Sequence, residues 1–436
     1  MTPRAIIYTA LSAAVCLPAA AEVWTLDQCV TYAIDHNLTV RARQFDADKG
    51  RIEVTSAKDA FLPTVSAGAN ESFDFGRSVA NDNVKVSANS SSFSWNLNAQ
   101  LPLFDGLKSV RRLQTAKLSL SQMLLQADAA RDDVTLNVIT AYLQTLLERE
   151  MTDVARQQVE MSQVEVSRQE SLVESGKSAE LDLVQARAQL AQDELTLVER
   201  TADYDQALLD LRQLLLLPVD TDMEIAPLEE QQFIVPDVET VYRSAMAANS
   251  SILVRRKAIE VADSRIAEAK TGWIPSLSFG AGIGSNYTYI NKLPTNSSFS
   301  DQMRDNFSKT IGFSLSIPIF DGLATRNAVN SAKVDRMIAD LELEEESTRL
   351  YKTISQAYTQ AESARKKSES ATIARDATKA ALDAMTLKYN YGKANATEFE
   401  QAKTDYISAC SRAVQARYEY IVRAKVLEFY NTPHAY

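Results

Sequence analysis

The chain has 436 residues, enough for two or three ordinary domains, and an unremarkable 45% of them are hydrophobic. A formal net charge of −11 argues against nucleic acid as a partner. His36 and His434 are the only histidines, and no Ser/His/Asp set, metal cluster or phosphate loop is present, so an enzyme and a cofactor are both set aside.

The first 21 residues read as an export signal: Arg4, the apolar run "AIIYTALSAAVCL", then Ala19 and Ala21 in an A-x-A cleavage pattern. Lipid attachment at Cys16 is the alternative, and Val15 before it is a poor fit. A mature chain starting near Glu22 lies beyond the inner membrane with Cys29 and Cys410 as its only thiols. Two cysteines are no disulfide scaffold, and their pairing stays open. No later stretch reaches the ~18 consecutive apolar residues of a membrane-spanning helix.

From residue 22 onward the chain repeats one plan. "FLPTVSAG" (61–68) returns as "WIPSLSFG" (273–280), and Asn37 and Asn249 share the same offset of 212. After the strands the offset is 216, as in Pro102/Pro318, Gly106/Gly322 and Gly176/Gly392, so the four extra residues lie in 291–305. The repeats are expected at 22–217 and 237–432, joined by a proline-containing segment at 218–236 and followed by a tail at 433–436.

Each repeat is expected to begin with a helix that leads into two strands, at about 63–76 and 92–104 in the first and at about 274–289 and 307–320 in the second. Each alternates over about ten residues, the length a tilted strand needs to cross a bilayer. One face carries Val65, Phe93, Trp95, Leu97, Phe279, Ile311, Phe313 and their like. The other is nearly all Ser, Gly, Asn and Thr. A half-buried soluble sheet also alternates, but a polar face almost without Lys or Glu suits the lining of a water-filled bore. Aromatics gather at both ends: Phe61, Phe104, Trp273 and Phe320 on the helix side, and Phe73, Phe75, Tyr287, Tyr289 and Phe307 on the far side. Those are the two girdles of a membrane barrel. Four strands cannot close one, and an open edge in lipid leaves backbone groups unpaired, so copies must join.

Each second strand ends at "P-[LI]-F-D-G". Pro102 or Pro318 ends the ladder, phenylalanine anchors at the interface, and Asp105 or Asp321 caps the following helix with Gly106 or Gly322 beside it. No proline occurs from 103 to 217 or from 319 to 432, so helices are expected at 106–175, 177–215, 322–391 and 394–430. Seventy residues of helix rise on the order of 100 Å, too long for a compact domain, so a coiled-coil-like assembly is expected. Gly176 and Gly392 punctuate the turns between helices.

This duplicated helix-strand-strand-helix plan, its two Asp-Gly junctions and the stretch "LDAMTLKYNYGKANATEFEQAK" resemble the TolC-type outer-membrane efflux proteins over essentially all of 22–432. The resemblance implies an α+β membrane protein: a homotrimer whose twelve-stranded barrel, four strands per chain, continues into a periplasmic α-helical tunnel. It also implies a Gram-negative outer membrane with its lipid, a periplasmic adaptor and an inner-membrane efflux transporter. The function implied is a channel-tunnel giving passive exit to substrates. The conduit of a type I protein secretion system is the alternative, and a soluble coiled-coil scaffold or adhesin is the competitor from another class.

"ESGKSAELDLVQAR" (174–187) and "NYGKANATEFEQAK" (390–403) match each other, and the resemblance makes these turns the adaptor-docking tip, with Gly176, Lys177, Gly392 and Lys393. Turn chemistry alone also accounts for glycine and lysine there. Tyr389 falls on the family's latch tyrosine and Asp182 on its acidic partner. Ala394 stands at the latch arginine position, with Lys393 one place earlier. Glu398 matches the first acid of the periplasmic gate ring, whereas Gln401 replaces the second; a plain solvated helix face is the alternative for Glu398.

Overall fold

The computed structural model describes residues 22–76, 78–79, 85–86, 88–218, 222–228, 236–291 and 296–432. The expected signal at 1–21 with Cys16, the tail at 433–436 with His434, and part of the 218–236 segment lie outside them. In chain order the elements are β1 (Glu22–Trp24), α1 (Leu26–His36), α2 (Leu38–Asp59), β2 (Thr64–Asp74), β3 (Ser78–Val79), β4 (Lys85–Val86), β5 (Ser90–Phe104), α3 (Lys108–Glu174) and α4 (Glu180–Leu215). There follow β6 (Met223–Ile225), α5 (Val238–Ala248), α6 (Ser250–Ala269), a 3-10 turn (Lys270–Trp273), β7 (Ser276–Ile290), α7 (Phe299–Asp305), β8 (Ser308–Ser316), α8 (Ala324–Asn390) and α9 (Ala396–Asn431). The fold is α+β and mostly helical. None of its described helices is long and apolar enough to cross a membrane.

Two compact units divide these elements: Met1–Val40, Arg131–Tyr242 and Ile354–Tyr436 make one, and Arg41–Ala130 with Arg243–Thr353 make the other. α3 and α8, 67 residues each, contribute to both.

In the first unit the core is a helical seam. Val138, Ile139, Tyr142, Leu143 and Leu146 of α3 recur at helical spacing and are fully buried, with Leu211 and Leu215 of α4 and Ile354 and Leu427 of α8 and α9. β1 pairs with β6 in parallel, and the Tyr142 hydroxyl lies 2.6 Å from Ala226 O and 3.1 Å from Trp24 O at the end of that ladder. Cys29 and Cys410 are buried free thiols, and burial pushes the Cys29 thiol up to about 12.

The second unit holds an antiparallel sheet in the order β2-β5-β7-β8. α2 ends at Asp59 and Pro63 follows, so the chain enters β2 extended. Ser90 to Pro102 of β5 run in phase with Ile290 to Ser278 of β7, and the register shifts between Pro102 and Phe104. A proline without an N–H is tolerated at such a bulge. β8 pairs with β7 only from Ser308 to Ser316, four residues short of the expected 320, because Pro318 offers no donor to the ladder.

Beyond Gly284 no strand among the described residues lies beside this β7 edge, and side-chain amides take over. Asn306 Nδ2 donates to Asn286 O at 2.7 Å. Gln302 accepts from Thr288 N–H and donates to Thr288 O, both at 3.0 Å. Asn296 does the same for Ile290, at 3.0 and 2.7 Å. Every second residue of the free edge thus meets an amide that stands in for a peptide group. α7 sits on the apolar face at this end, Phe299 lying 5.0 Å from Tyr287 and 6.0 Å from Phe93.

Candidate functional site

The helical turns are built alike. Gly176 (φ 67°) and Gly392 (φ 69°) adopt the left-handed conformation, and an added Cβ would meet nothing within 4 Å at either, so glycine serves the backbone angle rather than space. Gly176 N donates to Val173 O and Lys177 N to Leu172 O, and the same pair of bonds joins Gly392 to Tyr389 and Lys393 to Lys388. These close the last turns of α3 and α8 as Schellman motifs. The side chains of Lys177 and Lys393 are exposed, with no ion pair among the described residues.

Beyond the turns the two return helices differ. Asn395 caps α9, and Glu398 returns the bond: Glu398 N donates to Asn395 Oδ1 at 2.8 Å and Asn395 N to Glu398 Oε2 at 3.0 Å. Glu398 is therefore both an exposed carboxylate and half of a capping box. At α4 the cap position is Ala179, which offers no side-chain acceptor.

Tyr389 sits in a cluster of α3 residues. Its hydroxyl donates to Glu165 Oε1 at 2.7 Å and accepts from Gln169 Nε2 at 2.6 Å. Arg168 lies 3.8 Å over the ring and donates to the Tyr389 carbonyl at 3.0 Å, while Phe399 stacks at 4.8 Å. Burial first, then the Glu165 hydrogen bond, push the Tyr389 phenol up. Asp182 does not touch Tyr389. The Ser178 hydroxyl lies 2.9 Å from Asp182 and 3.0 Å from Gln169, so the two are connected only through Ser178 and Gln169. The cation beside the tyrosine is Arg168 of α3, in a cluster that Ala394 leaves without an arginine of its own turn.

A second polar cluster lies in the same unit. Lys403 and Asp193 are 2% and 1% exposed. Lys403 Nζ donates to Ser162 at 2.7 Å and to Glu400 at 3.0 Å, and lies 3.9 Å from Asp193. Asp193 accepts from Ser162, from Gln158 at 2.6 Å and from Gln189 at 2.8 Å. Sequence reading missed Glu165, Arg168, Gln169, Asp193 and Lys403. The only local trace is the i, i+3, i+4 spacing of Glu165, Arg168 and Gln169, which puts three polar side chains on one helix face.

At the junctions, Asp105 accepts from Ser109 N–H at 2.7 Å and Asp321 from Thr325 N–H at 2.8 Å. Hydrogen bonds from Thr325 hold the Asp321 carboxyl below the usual carboxylate range. α3 and α8 begin only at Lys108 and Ala324, because Gly106 and Leu107, like Gly322 and Leu323, are left-handed, with φ between 66° and 70°. A leucine in that conformation is strained. The signal was available: both junctions read Asp-Gly-Leu.

The sheet keeps its two chemistries on opposite faces. Ser66/Asn98/Gly282/Thr310 and Gln100/Gly280/Gly312 run across the polar face, where a hollow of about 560 Å³ is lined by Asn96, Asn98, Gln100, Ser278 and the glycines. Ala67/Leu97/Ile283/Lys309 and Leu101/Phe279/Phe313 run across the other. Phe73, Tyr287 and Tyr289 stand on that apolar face at its far end; Phe75 follows β2, Phe104 ends β5, and Trp273 and Phe320 flank β7 and β8. Phe73, Phe75, Phe104, Trp273, Tyr289 and Phe320 are all exposed.

The chain resembles "Outer membrane protein TolC" of Escherichia coli, at 24% identity over 394 residues, which cover 88% of this chain and 78% of that one. It resembles "Pyoverdine export outer membrane protein OpmQ" of Pseudomonas putida at 28% over 277 residues, or 60% and 56% of the two chains. Among solved structures, the CmeC outer membrane channel of Campylobacter jejuni superposes with a TM-score of 0.74 at 17% identity, covering 93% of this chain and 85% of that one. The outer membrane protein VceC of Vibrio cholerae gives 0.72 at 16%, covering 93% and 94%. These similarities show a shared fold. The family pattern described as outer membrane efflux protein matches residues 30–215 and 241–429, and the chain belongs to that family.

Proposed function

We propose that the protein is the outer-membrane channel-tunnel of a tripartite efflux system, a homotrimer closing a twelve-stranded barrel on a tunnel of helices in the periplasm. The family is one of outer-membrane transport proteins, not enzymes. The observation that carries the reading is the sheet's incompleteness. β2 and β8 are its two edges, almost every residue of both is exposed, and Ile311 and Phe313 of β8 are 74% and 70% exposed. Such edges in water are aggregation sites; in lipid they demand pairing.

All neighbouring strands are antiparallel, so β2 and β8 run in opposite directions, and β8 of one copy meets β2 of the next in the same antiparallel sense. This is a head-to-tail contact that closes into a ring. Two copies supply eight strands and three supply twelve; the family resemblance selects three. The two repeats then give each copy two helix turns at the tunnel's tip. Gly176, Lys177, Gly392 and Lys393 present the surface for a periplasmic adaptor bound to an inner-membrane transporter, and the Tyr389 cluster latches the tip. The polar sheet face lines the bore and the aromatic girdles mark the two lipid interfaces.

Extraction from outer membranes tests the reading. The protein is expected only in detergent, at three times the chain's mass, with stepwise currents in planar bilayers. A monomer recovered in plain buffer would exclude the barrel.

A further inference from the structure

β5 and β7, the inner strands, carry no charged residue; the four strands hold only Glu71 and Asp74 on β2 and Lys309 on β8. Glu71 and Lys309 both stand on the apolar face, since Glu71 is level with Phe93 and Tyr287, and Lys309 with Ile283 and Leu97. Both are exposed, and among the described residues neither has an ion-pair partner in its own chain. Lys309 Nζ lies only over the Phe307 ring, at 5.6 Å. An acid on one edge and a base on the other, on the same face and each toward the far end of its own strand, are complementary ends of one heterologous contact. We propose that Glu71 of each copy pairs with Lys309 of the next across the β2–β8 seam, fixing the register in which the barrel closes. This rests on the barrel reading above.

The register follows from counting. Thr64 is level with Gln100, Gly280 and Gly312 through the ladders of one chain. An odd shift at the seam sets the apolar face of one copy against the polar face of the next, which removes half the registers. Of the rest, only two place all nine residues of β8 opposite β2. The first sets Lys309 directly opposite Glu71. It also matches Ile311 with Ala69, Phe313 with Ala67 and Leu315 with Val65 on the lipid face, large against small, and Ser314 with Ser66 and Gly312 with Gly68 in the bore. The second puts the two charges one diagonal step apart, still within reach of their long side chains.

These registers advance the ladder by four or six residues per copy. With ordinary strand spacings the strands then tilt by about 35° or about 46°, which brackets the range of closed barrels. A lone lysine on a lipid face is costly in a depth-dependent way, and pairing offsets part of that cost for both groups. Each seam receives one acid and one base, so the ring neutralises all of them.

The test is the heating temperature at which the detergent-resistant trimer falls to monomers on a gel. Glu71→Lys and Lys309→Glu, each putting like charges at the seam, are expected to lower it by several degrees, and the combined exchange to return it to that of the unaltered protein. An exchange no better than the weaker single change overturns the pair, while the unaltered trimer still upholds the barrel; absence of that trimer overturns the barrel itself. If the single changes block assembly, Glu71→Cys with Lys309→Cys decides. Oxidation, or in the diagonal register a short bis-thiol cross-linker, is expected to link neighbouring copies covalently, and monomers alone under both overturn the pair.

Discussion

At the scale of single residues, Tyr389 is held on four sides, and one atom matters most. Its hydroxyl is the donor that Glu165, a buried carboxylate, receives from α8. Removing it by Tyr389→Phe keeps the Phe399 stack and the Arg168 contact but strips Glu165 of a partner, an expected loss of ~1–3 kcal/mol in a denaturant or thermal melt of the detergent-solubilised protein. The same hydroxyl sets an alkaline limit. Its pKa is raised in the folded chain, so its stabilising contribution is complete below the ordinary tyrosine value of about 10 and is lost as pH rises beyond it. The stability of the unaltered protein is therefore expected to fall faster above that pH than that of Tyr389→Phe; parallel curves would show that this hydroxyl's titration does not act on stability. Tyr389 was singled out only through the family resemblance around the second turn, and the structure places it in a buried polar cluster. Its partners were not legible in the sequence, because Glu165 and Gln169 lie more than two hundred positions away and nothing local marks a pairing across that distance.

At the scale of elements, punctuation residues told most. Gly176 and Gly392 locate both turns to the residue, and because they answer to φ alone, alanine at either position is expected to cost ~1 kcal/mol without a clash, read as a lower melting temperature. The asparagines at 37 and 249 mark helix breaks in the same way: each accepts backbone N–H bonds from the start of α2 or α6. The β7 edge was not legible. Gln302 lies in the short α7, Asn306 caps its end and Asn296 precedes it, a stretch with no strand periodicity, and their role appears only when β8 stops short. Gln302→Leu keeps the volume and removes both bonds to Thr288, leaving its peptide groups without partners. Hydrogen exchange at the Thr288 amide is expected to quicken relative to residues 278–284, which β8 still covers; equal protection would show that the amide seal holds nothing.

At the scale of the whole molecule, the question is where a channel so built would choose among ions. The sheet is a poor place to look, since its polar face carries one charge, Asp74 at the far end of β2, and glycines elsewhere leave it open. Uncharged hydroxyls and amides pass either sign. The turns differ: Glu398 is exposed at the start of α9, and a ring of copies would gather such carboxylates about one axis and favour cations. Its second duty complicates the obvious experiment. Glu398→Ala deletes the charge and also half of the capping box, so a changed current could report a frayed helix. Glu398→Gln keeps an oxygen for the Asn395 N–H and removes only the charge. Reversal potentials in planar bilayers under a salt gradient are expected to show lower cation preference in Glu398→Gln at an unchanged melting temperature. An unchanged preference would take Glu398 out of the gate and leave it a helix cap.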